Sequence, residues 1–592
     1  MKELQYPFDA NYIISKKLKI RKQLLENTEG MIDKKIAILG GITTNEIKLI
    51  LELFLLDNKI KPTFYESEYN MYYEDAVFEN DELNKFNPDI IYICTSNRNI
   101  SIYPTLKNNS EEIEELLNEQ YNKFETIWQK LTEKFNCPII QNNFEMPFFR
   151  LLGNKDVCDI HGRANFINRL NVKFYDYANI HNNFYICDLN YISADYGLNA
   201  WYDLSYYYLY KYSMNIKAIP YLSFNVANII KSIFGKNKKA FVLDMDNTLW
   251  GGVIGDDGVE NIVLGEETAE GEAYLEFQRY LKMHEDLGVI LNINSKNDEA
   301  NALAGLEHPN SVLKKNDFID IKVNWNSKDE NLSEIANDLS LGTDSILFVD
   351  DNPAERHIVT EQCKDVIAPE IGRVNEYIKT IDRGGYFETT IFSEDDAKRN
   401  EMYKENAKRA KYQASFKDYN EYLLSLNMTA TIKPFESIHL SRIAQLTNKS
   451  NQFNLTTKRF TQAELENIMQ DKNYITLYGD LKDRFGDNGI VSLVIGKISD
   501  KKCDIILWLM SCRVLKRDME YAMMDELVKI CNERGIKEIY GYYYPTQKNG
   551  MVKDFYDLQD FKLIKEDESG NKIYKINISK GYIYKNNIIN II

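Results

Sequence analysis

The chain has 592 residues, 44% of them apolar and 27% charged, which excludes a largely disordered protein. Its 72 Lys and Arg against 89 Asp and Glu give a net charge of −17, so there is no basic footprint for bulk nucleic-acid binding. At about 150 residues per domain, the length predicts three or four domains.

A Lys-rich helix is predicted within residues 1–30, as a docking arm. KKIAILGG (34–41) reads as a buried strand ending in a glycine pair, followed by the helix TTNEIKLILELFLLDNK. KPTFYESEY (61–69) and PDIIYICTS (88–96) read as further strands, with two more in CPIIQNNFEMP (137–147) and NNFYICDLNYISADYG (182–197). This spacing implies right-handed crossovers and a parallel sheet, in an α/β unit spanning 1–235. A second α/β unit, 236–390, has strands AFVLDMDNT, GVILNINS and SILFVDD. Residues 391–426 form a charged helical connector. A third unit, 427–592, opens with MTATIKPF and continues through the consecutive antiparallel strands YITLYGD, NGIVSLVIGKI and CDIILWLMS. Its helix VLKRDMEYAMMDELVKICNERG closes on a glycine cap, and IKEIYGYYY and NKIYKINI finish a mixed sheet. The fold class is α/β in three domains.

No apolar run reaches about 18 residues, so no membrane span is expected. The first residues carry no apolar signal core. The eight cysteines are scattered, without CxxC, which points to a reducing cytoplasm. The six histidines have no HxxxH or HExxH spacing, which argues against zinc.

The chemistry concentrates in FVLDMDNTLWGG (241–252), where an apolar strand delivers Asp244 and Asp246 at its carboxyl end, the edge where ligands bind in open α/β sheets. Asp244 fits a nucleophile and Asp246 an acid/base. A lone acidic pair is usually a solvated loop, but three further elements follow in order. Ser295 ends the next apolar strand, Lys328 opens a helix in NWNSKDENL, and Asp350 and Asp351 end a third strand in LFVDDNPAER. Carboxylates at Asp244, Asp350 and Asp351, with a contribution from Asp246, suit Mg2+. Mg2+ with Lys328 would supply the positive charge that phosphoryl transfer needs.

These segments, LDMDNTLWGGVIGDDGVENIVLG, NSKND and FVDDNPAER, resemble the FkbH-like branch of the haloacid dehalogenase (HAD) superfamily, subfamily IIIC. The resemblance implies an SGNH-like N-terminal domain with a flavodoxin-like parallel sheet, a HAD-like Rossmannoid phosphatase domain and a GNAT-like C-terminal domain with a mixed sheet. It implies Asp244 as nucleophile, Asp246 as acid/base and Ser295 and Lys328 as phosphate ligands. Asn294, Lys296, Asn297 and Asn352 flank these motifs as substrate-binding candidates. About 46 residues (249–294) separate the first two motifs, which leaves no room for a large cap.

The family's reaction takes 1,3-bisphosphoglycerate, a phosphorylated three-carbon acid. It removes phosphate and loads glyceryl onto the phosphopantetheine arm of an acyl carrier protein, for a polyketide-like or cell-surface glycan pathway. Relatives usually have Cys before Ser-Lys-Asn; here Asn294 stands there, so no glyceryl thioester can form at that position. Cys512 is the substitute thiol to consider, although a strand-end Cys is more often buried filler. The alternatives are a simple phosphatase for a small phosphorylated metabolite or glycan, and a carrier-binding scaffold without catalysis.

In the third unit, LWLMSCRVLKRDMEYAMM resembles the GNAT turn that cradles the CoA pyrophosphate. Arg513 is present, but Lys516 and Asp518 replace the glycines, which argues against ordinary acetyl-CoA binding. YYYPTQKNGMVKDFYDLQDFKL resembles that family's end-of-fold pattern, which implies Asn549 and Tyr556 near the acyl pocket, and Arg513, Lys516, Arg517 and Lys548 offer cations for a phosphopantetheine arm or an acidic carrier. In the first unit, GGITTNEI puts Thr43 and Thr44 where an SGNH nucleophile would sit, and Asp195 has no histidine three residues on, so hydrolysis is not expected there. Asn142 and Asn143 read as turn-shaping residues, WYDLSYYYLYKY (201–212) as packing, and His357 as a surface residue on a helix.

Overall fold

The computed structural model describes residues 1–390, 397–450, 452–546 and 548–592. Residues Met1–Ile233 with Thr461–Glu464 form one compact unit, and Phe234–Phe460 with Leu465–Ile592 a second. No helix among the described residues is long and apolar enough to cross a membrane.

The first unit holds a five-stranded parallel sheet, β1 (Ile32–Gly40), β2 (Ile60–Glu66), β3 (Ile90–Cys94), β4 (Ile139–Asn142) and β5 (Phe184–Cys187), in the order 2-1-3-4-5. That is the flavodoxin-like order, with its switch point between β1 and β3. β3 is buried along its whole length, as a strand covered by helices on both faces must be. Helix α1 (Ala10–Leu25) starts on the Asp9 carboxylate, which accepts from the Asn11 and Tyr12 amides. It buries Ile13 and Ile20 and is pinned by Lys17–Glu46 and Arg21–Glu52 to α2 (Asn45–Asp57). A 26-residue helix, α3 (Ser110–Phe135), was not anticipated from the strand spacing. Its capping box is Asn109 with Glu112, and it buries an apolar stripe through Ile113, Leu117, Phe124 and Trp128.

The aromatic run at 201–212 is core at its two ends, where Trp201 and Tyr212 are buried, while the helix Leu204–Tyr210 between them buries none of its residues.

In the second unit, β6 (Ala240–Leu243), β7 (Ile290–Ser295), β8 (Phe318–Val323) and β9 (Ile346–Val349) form a parallel sheet in the order 8-7-6-9. β6 lies between β7 and β9, and all four of its side chains are buried. Each such aliphatic or aromatic side chain contributes about 1.5–3 kcal/mol of burial, so the strand that carries the acidic pair is firmly held. A larger mixed sheet contains β10 (Thr429–Lys433), β11 (Phe453–Asn454), β12 (Tyr474–Asp483), β13 (Gly486–Ser499), β14 (Lys502–Met510), β15 (Glu538–Tyr543), β16 (Lys562–Glu566), β17 (Lys572–Asn577) and β18 (Asn590–Ile591). β12, β13 and β14 are the expected consecutive antiparallel strands.

The expected connector packs part of its length. Residues 391–396 lie outside the described residues, but helix Arg399–Gln413 buries Asn400, Met402, Tyr403 and Arg409. Asn400 donates to the Glu285 carbonyl at 2.6 Å, and Arg409 grips both oxygens of the Asp483 carboxylate at 2.7 and 2.8 Å. This helix is therefore a polar seam between the four-stranded and the mixed sheet.

Candidate active site

Asp244 and Asp350 each follow the last residue of a strand, β6 and β9, and Ser295 ends β7. Because β6 pairs with both neighbours in parallel register, Leu243 lies level with Ile293 and Val349. The three polar residues therefore emerge on one sheet edge. Lys328 is the first residue of helix α4 (Lys328–Asp338), the crossover after β8, which turns its side chain back over that edge.

The Lys328 ammonium lies 2.9 Å from Asp244 and 2.5 Å from Asp350. All three side chains are buried. Carboxylate oxygens of Asp244, Asp350 and Asp351 lie within 4.8 Å of one another. Three carboxylates and one ammonium leave this small volume two positive charges short. Burial, then the charge of Asp244, pushes Asp350 up to about 6, against the pull of Lys328. Asp351 is raised by burial and then by Asp244. Burial alone would lower Lys328, but the charges of Asp244 and Asp350 outweigh it and raise its pKa. A divalent cation among the carboxylates supplies the missing charge, and an all-oxygen donor set fits a hard ion. The donors present therefore fit the expected cofactor.

Asp246 differs from the expected metal set. Its Oδ1 accepts from Trp250 Nε1 at 2.9 Å and the Ile254 amide at 3.1 Å, and its Oδ2 accepts from Asn297 Nδ2 at 2.9 Å. The carboxylate is thus aimed by three donors and lies outside the three-carboxylate group. Burial raises its pKa, and the Ile254 and Trp250 hydrogen bonds oppose the rise. A carboxyl held above the ordinary range suits proton transfer.

Several substrate-binding expectations change. Asn297 aims Asp246. Asn294 donates to the Lys328 carbonyl at 2.7 Å and accepts from Asn331 at 3.2 Å, so it fixes the start of α4. Lys296 is paired with Glu355 at 2.7 Å. The Asn352 side chain caps the helix Pro353–Gln362 through the Ala354 amide, while the Asn352 backbone N–H donates to Asp350. All four are committed within the protein because a dense polar edge must satisfy its own donors and acceptors. Ser295 Oγ has no hydrogen-bond partner among the described residues, which leaves it available to a ligand.

Sequence reasoning missed Trp250, Asn331 and Arg356. Trp250 stands four residues beyond Asp246 inside the same motif. Asn331 follows Lys328 at helical spacing. Arg356 donates to the carbonyls of Asp350 and Asp351, both at 2.7 Å, and so fixes the loop that carries them.

Cys512 is not near this edge. Its thiol interacts with Tyr403 and with Lys239, the residue before β6. Lys239 and Asp244 are separated by the strand, about 16 Å at 3.3 Å per residue. The proposed acyl thiol is thus at the opposite edge of the sheet.

The expected cationic cleft of the third sheet is also largely spent. Arg513 lies against the sulfur of Met402, and Lys548 pairs with Asp344. Arg517 is buried and donates to Asp483, Asn488, Asn406 and the Arg513 carbonyl. Lys516 is exposed, and both it and Asp518 adopt the left-handed backbone that glycine usually supplies, at φ 64° and 61°. Asn549 holds a turn through the Asn454 and Tyr544 carbonyls, and Tyr556 is buried.

In the first unit, Thr43 donates to the Tyr210 carbonyl at 2.6 Å and Thr44 to Glu66 at 2.7 Å, so both hydroxyls are hydrogen-bonded within the unit. Asp195 is exposed. Asn142 bonds Tyr92 and the Thr95 carbonyl, and Asn143 bonds Asp188 and Tyr175. His357 is exposed on its helix.

Residues 35–231 match the family model described as FkbH, N-terminal domain. A solved structure of the N-terminal part of a Bacteroides fragilis protein, containing a phosphatase domain and complexed with Mg, is 29% identical. It aligns with a TM-score of 0.58 over 64% of this chain and 99% of that one. The ribosomal-protein-S18-alanine N-acetyltransferase of Escherichia coli is 12% identical, with a TM-score of 0.21 over 27% of this chain and 98% of its own. The PaiA N-acetyltransferase of Thermoplasma acidophilum, in complex with coenzyme A, is 16% identical, with a TM-score of 0.19 over 25% and 99%. These last two likenesses are too slight to carry a function. No curated protein matches the chain. The FkbH-like resemblance drawn from the motifs is borne out by the first two findings.

Proposed function

We propose that this FkbH-like chain is a Mg2+-dependent phosphatase that works through an aspartyl phosphate on Asp244. One observation carries the reading: a buried ammonium bridges Asp244 and Asp350 inside a carboxylate group still short of positive charge. Mg2+ accompanies the similar Bacteroides phosphatase domain. Asp244, Asp350 and Asp351 would hold it here, and when bound it neutralises charge on the phosphoryl oxygens.

The protein's own groups do the rest. Asp244 attacks phosphorus, the bond to the leaving oxygen breaks, and Asp246 gives that oxygen its proton. Water then attacks the aspartyl phosphate, Asp246 takes the water's proton, and phosphate leaves with Asp244 restored. Lys328 and Ser295 hold equatorial oxygens, since positioning and charge are most of phosphoryl-transfer catalysis. Trp250, Asn297 and the Ile254 amide keep Asp246 aimed throughout.

For the substrate we propose 1,3-bisphosphoglycerate, with an acyl carrier protein as glyceryl acceptor. Asn294 excludes an enzyme thioester at its position, and Cys512 lies at the far edge, so the carrier's phosphopantetheine thiolate attacks the acyl-phosphate carbonyl directly. The C–O bond to phosphate breaks and phosphate departs. The remaining phosphate monoester then goes to Asp244.

The test incubates the protein with Mg2+, 1,3-bisphosphoglycerate and holo-carrier, then measures phosphate and the carrier's mass. Phosphate with a glyceryl-carrier mass supports the whole reading. Phosphate alone limits it to the phosphatase. No phosphate, or equal release by Asp244→Asn, overturns it.

A further inference from the structure

We infer that the FkbH N-terminal unit carries a second, non-hydrolytic binding site for a metabolite-sized oxyanion. Independent of the phosphatase reading, the site is a crevice at the switch point between β1 and β3, where open parallel sheets place ligands. The crevice has a volume of 250 Å³, just below the roughly 300–1,000 Å³ of drug-sized pockets. Its walls come from the segment after β2, the segment after β3 and helix α3.

Two cations face it, Arg98 and Lys123. Neither has a carboxylate within ion-pair distance among the described residues. The Lys123 ammonium lies over the rings of Tyr72, Tyr73 and Phe124, at 5.3, 5.9 and 5.9 Å, and burial lowers its pKa. A partly desolvated cation whose carboxylate neighbour, Glu74, stays beyond ion-pair distance is incompletely compensated, and an anion relieves that cost. The Arg98 guanidinium is laid on Tyr207 at 4.2 Å, which fixes its fork. This gives the exposed tyrosine run a task that packing does not. Glu74 also lines the crevice, so the net charge of the lining is +1.

The neutral lining is preorganised. Asn99 accepts from the Ser96 amide at 3.0 Å and donates to the Gly41 carbonyl at 2.8 Å and to Asn70 at 3.3 Å. A side chain on Gly41 would strike Asn99 at 2.5 Å, so glycine is required for this close approach. The Thr43 and Thr44 hydroxyls are both committed, Ser101 is bonded to Gln120, and burial pushes the Tyr72 phenol up, so the crevice presents cations and amides rather than an activated nucleophile. That combination binds an oxyanion, either a phosphate monoester or a carboxylate, without cleaving it.

Calorimetry on the full chain without Mg2+ tests this, with inorganic phosphate, ethyl phosphate and propionate as probes. Wild type should bind at least one of them. The double variant Arg98→Gln, Lys123→Gln should bind it at least tenfold more weakly, with phosphate release at the Asp244 site unchanged. Lys123→Arg, which keeps the charge, should retain binding, so a loss in both variants would indicate damage to the fold and overturn the assignment. Tighter ethyl phosphate than propionate identifies a phosphoryl ligand, and the reverse a carboxylate. No binding of any probe to wild type, or equal binding to the double variant, refutes the site.

Discussion

Asn297→Ala tests a residue that the sequence offered to the substrate and the structure turns toward Asp246. The amide donates to Asp246 at 2.9 Å, and Trp250 and the Ile254 amide donate to the same carboxylate. A hydrogen bond to a charged group contributes about 1.5–3 kcal/mol, which at 1.36 kcal/mol per unit is about one to two pKa units. Asp246 is only partly buried, so water replaces some of the lost donor and the lower figure, about one unit, applies. The donor stabilises the ionised form, so its removal moves the Asp246 pKa upward. The limb of the pH–kcat profile that belongs to Asp246 should therefore shift up by about one unit. The assay is Mg2+-dependent phosphate release across pH, fitted for kcat and inflection separately. An unmoved inflection with kcat reduced equally at every pH would refute the proton-transfer role and leave Asn297 as substrate-binding or structural.

Four further outcomes follow from the same geometry. Asp244→Asn should lower kcat by at least about 10³-fold, as loss of a nucleophile does, while the melting temperature changes little. Saturating Mg2+ should stabilise wild type by about 2.7 kcal/mol at one hundred times its Kd, read as a raised melting temperature, and Asp350→Asn should abolish most of that shift. Arg409→Ala leaves the buried Asp483 carboxylate with Arg517 and the Phe485 and Gly486 amides, and should cost about 1.5–3 kcal/mol, the loss of a charged hydrogen-bonded partner, in denaturant unfolding. Glu145 is fully buried, and burial pushes its pKa from 4.5 up to about 7. The native state then holds a proton that the unfolded chain releases, so stability falls as pH rises from about 4.5 to 7. Glu145→Gln should flatten that fall, worth about 3 kcal/mol at 1.36 kcal/mol per unit, in chemical unfolding at both ends of the window.

The legible parts of this protein were those encoded within a few residues. Apolar runs ending in Asp244, Ser295 and Asp350 announced three strand ends, and parallel register brought them together. The strand spacing of the first unit gave its parallel sheet. What stayed hidden depends on partners far apart in the chain. Lys548 reads as a free cation until Asp344, 204 residues away, neutralises it. Cys512 follows a strand end in its own sheet, but tertiary packing sets it against the amino edge of another. Asn297 sits beside Ser295 in a motif, yet its amide turns to Asp246, 51 residues earlier. The connector's composition is that of a solvated helix, and only the seam it enters explains the buried Asn400 and Arg409.

The most direct measurement is a single turnover in Mg2+, quenched in acid, followed by mass spectrometry of the peptide that contains residue 244. The account predicts one phosphoryl group on Asp244, formed before phosphate is released and absent from Asp244→Asn. Phosphate released at full rate with an unmodified Asp244 peptide would contradict it.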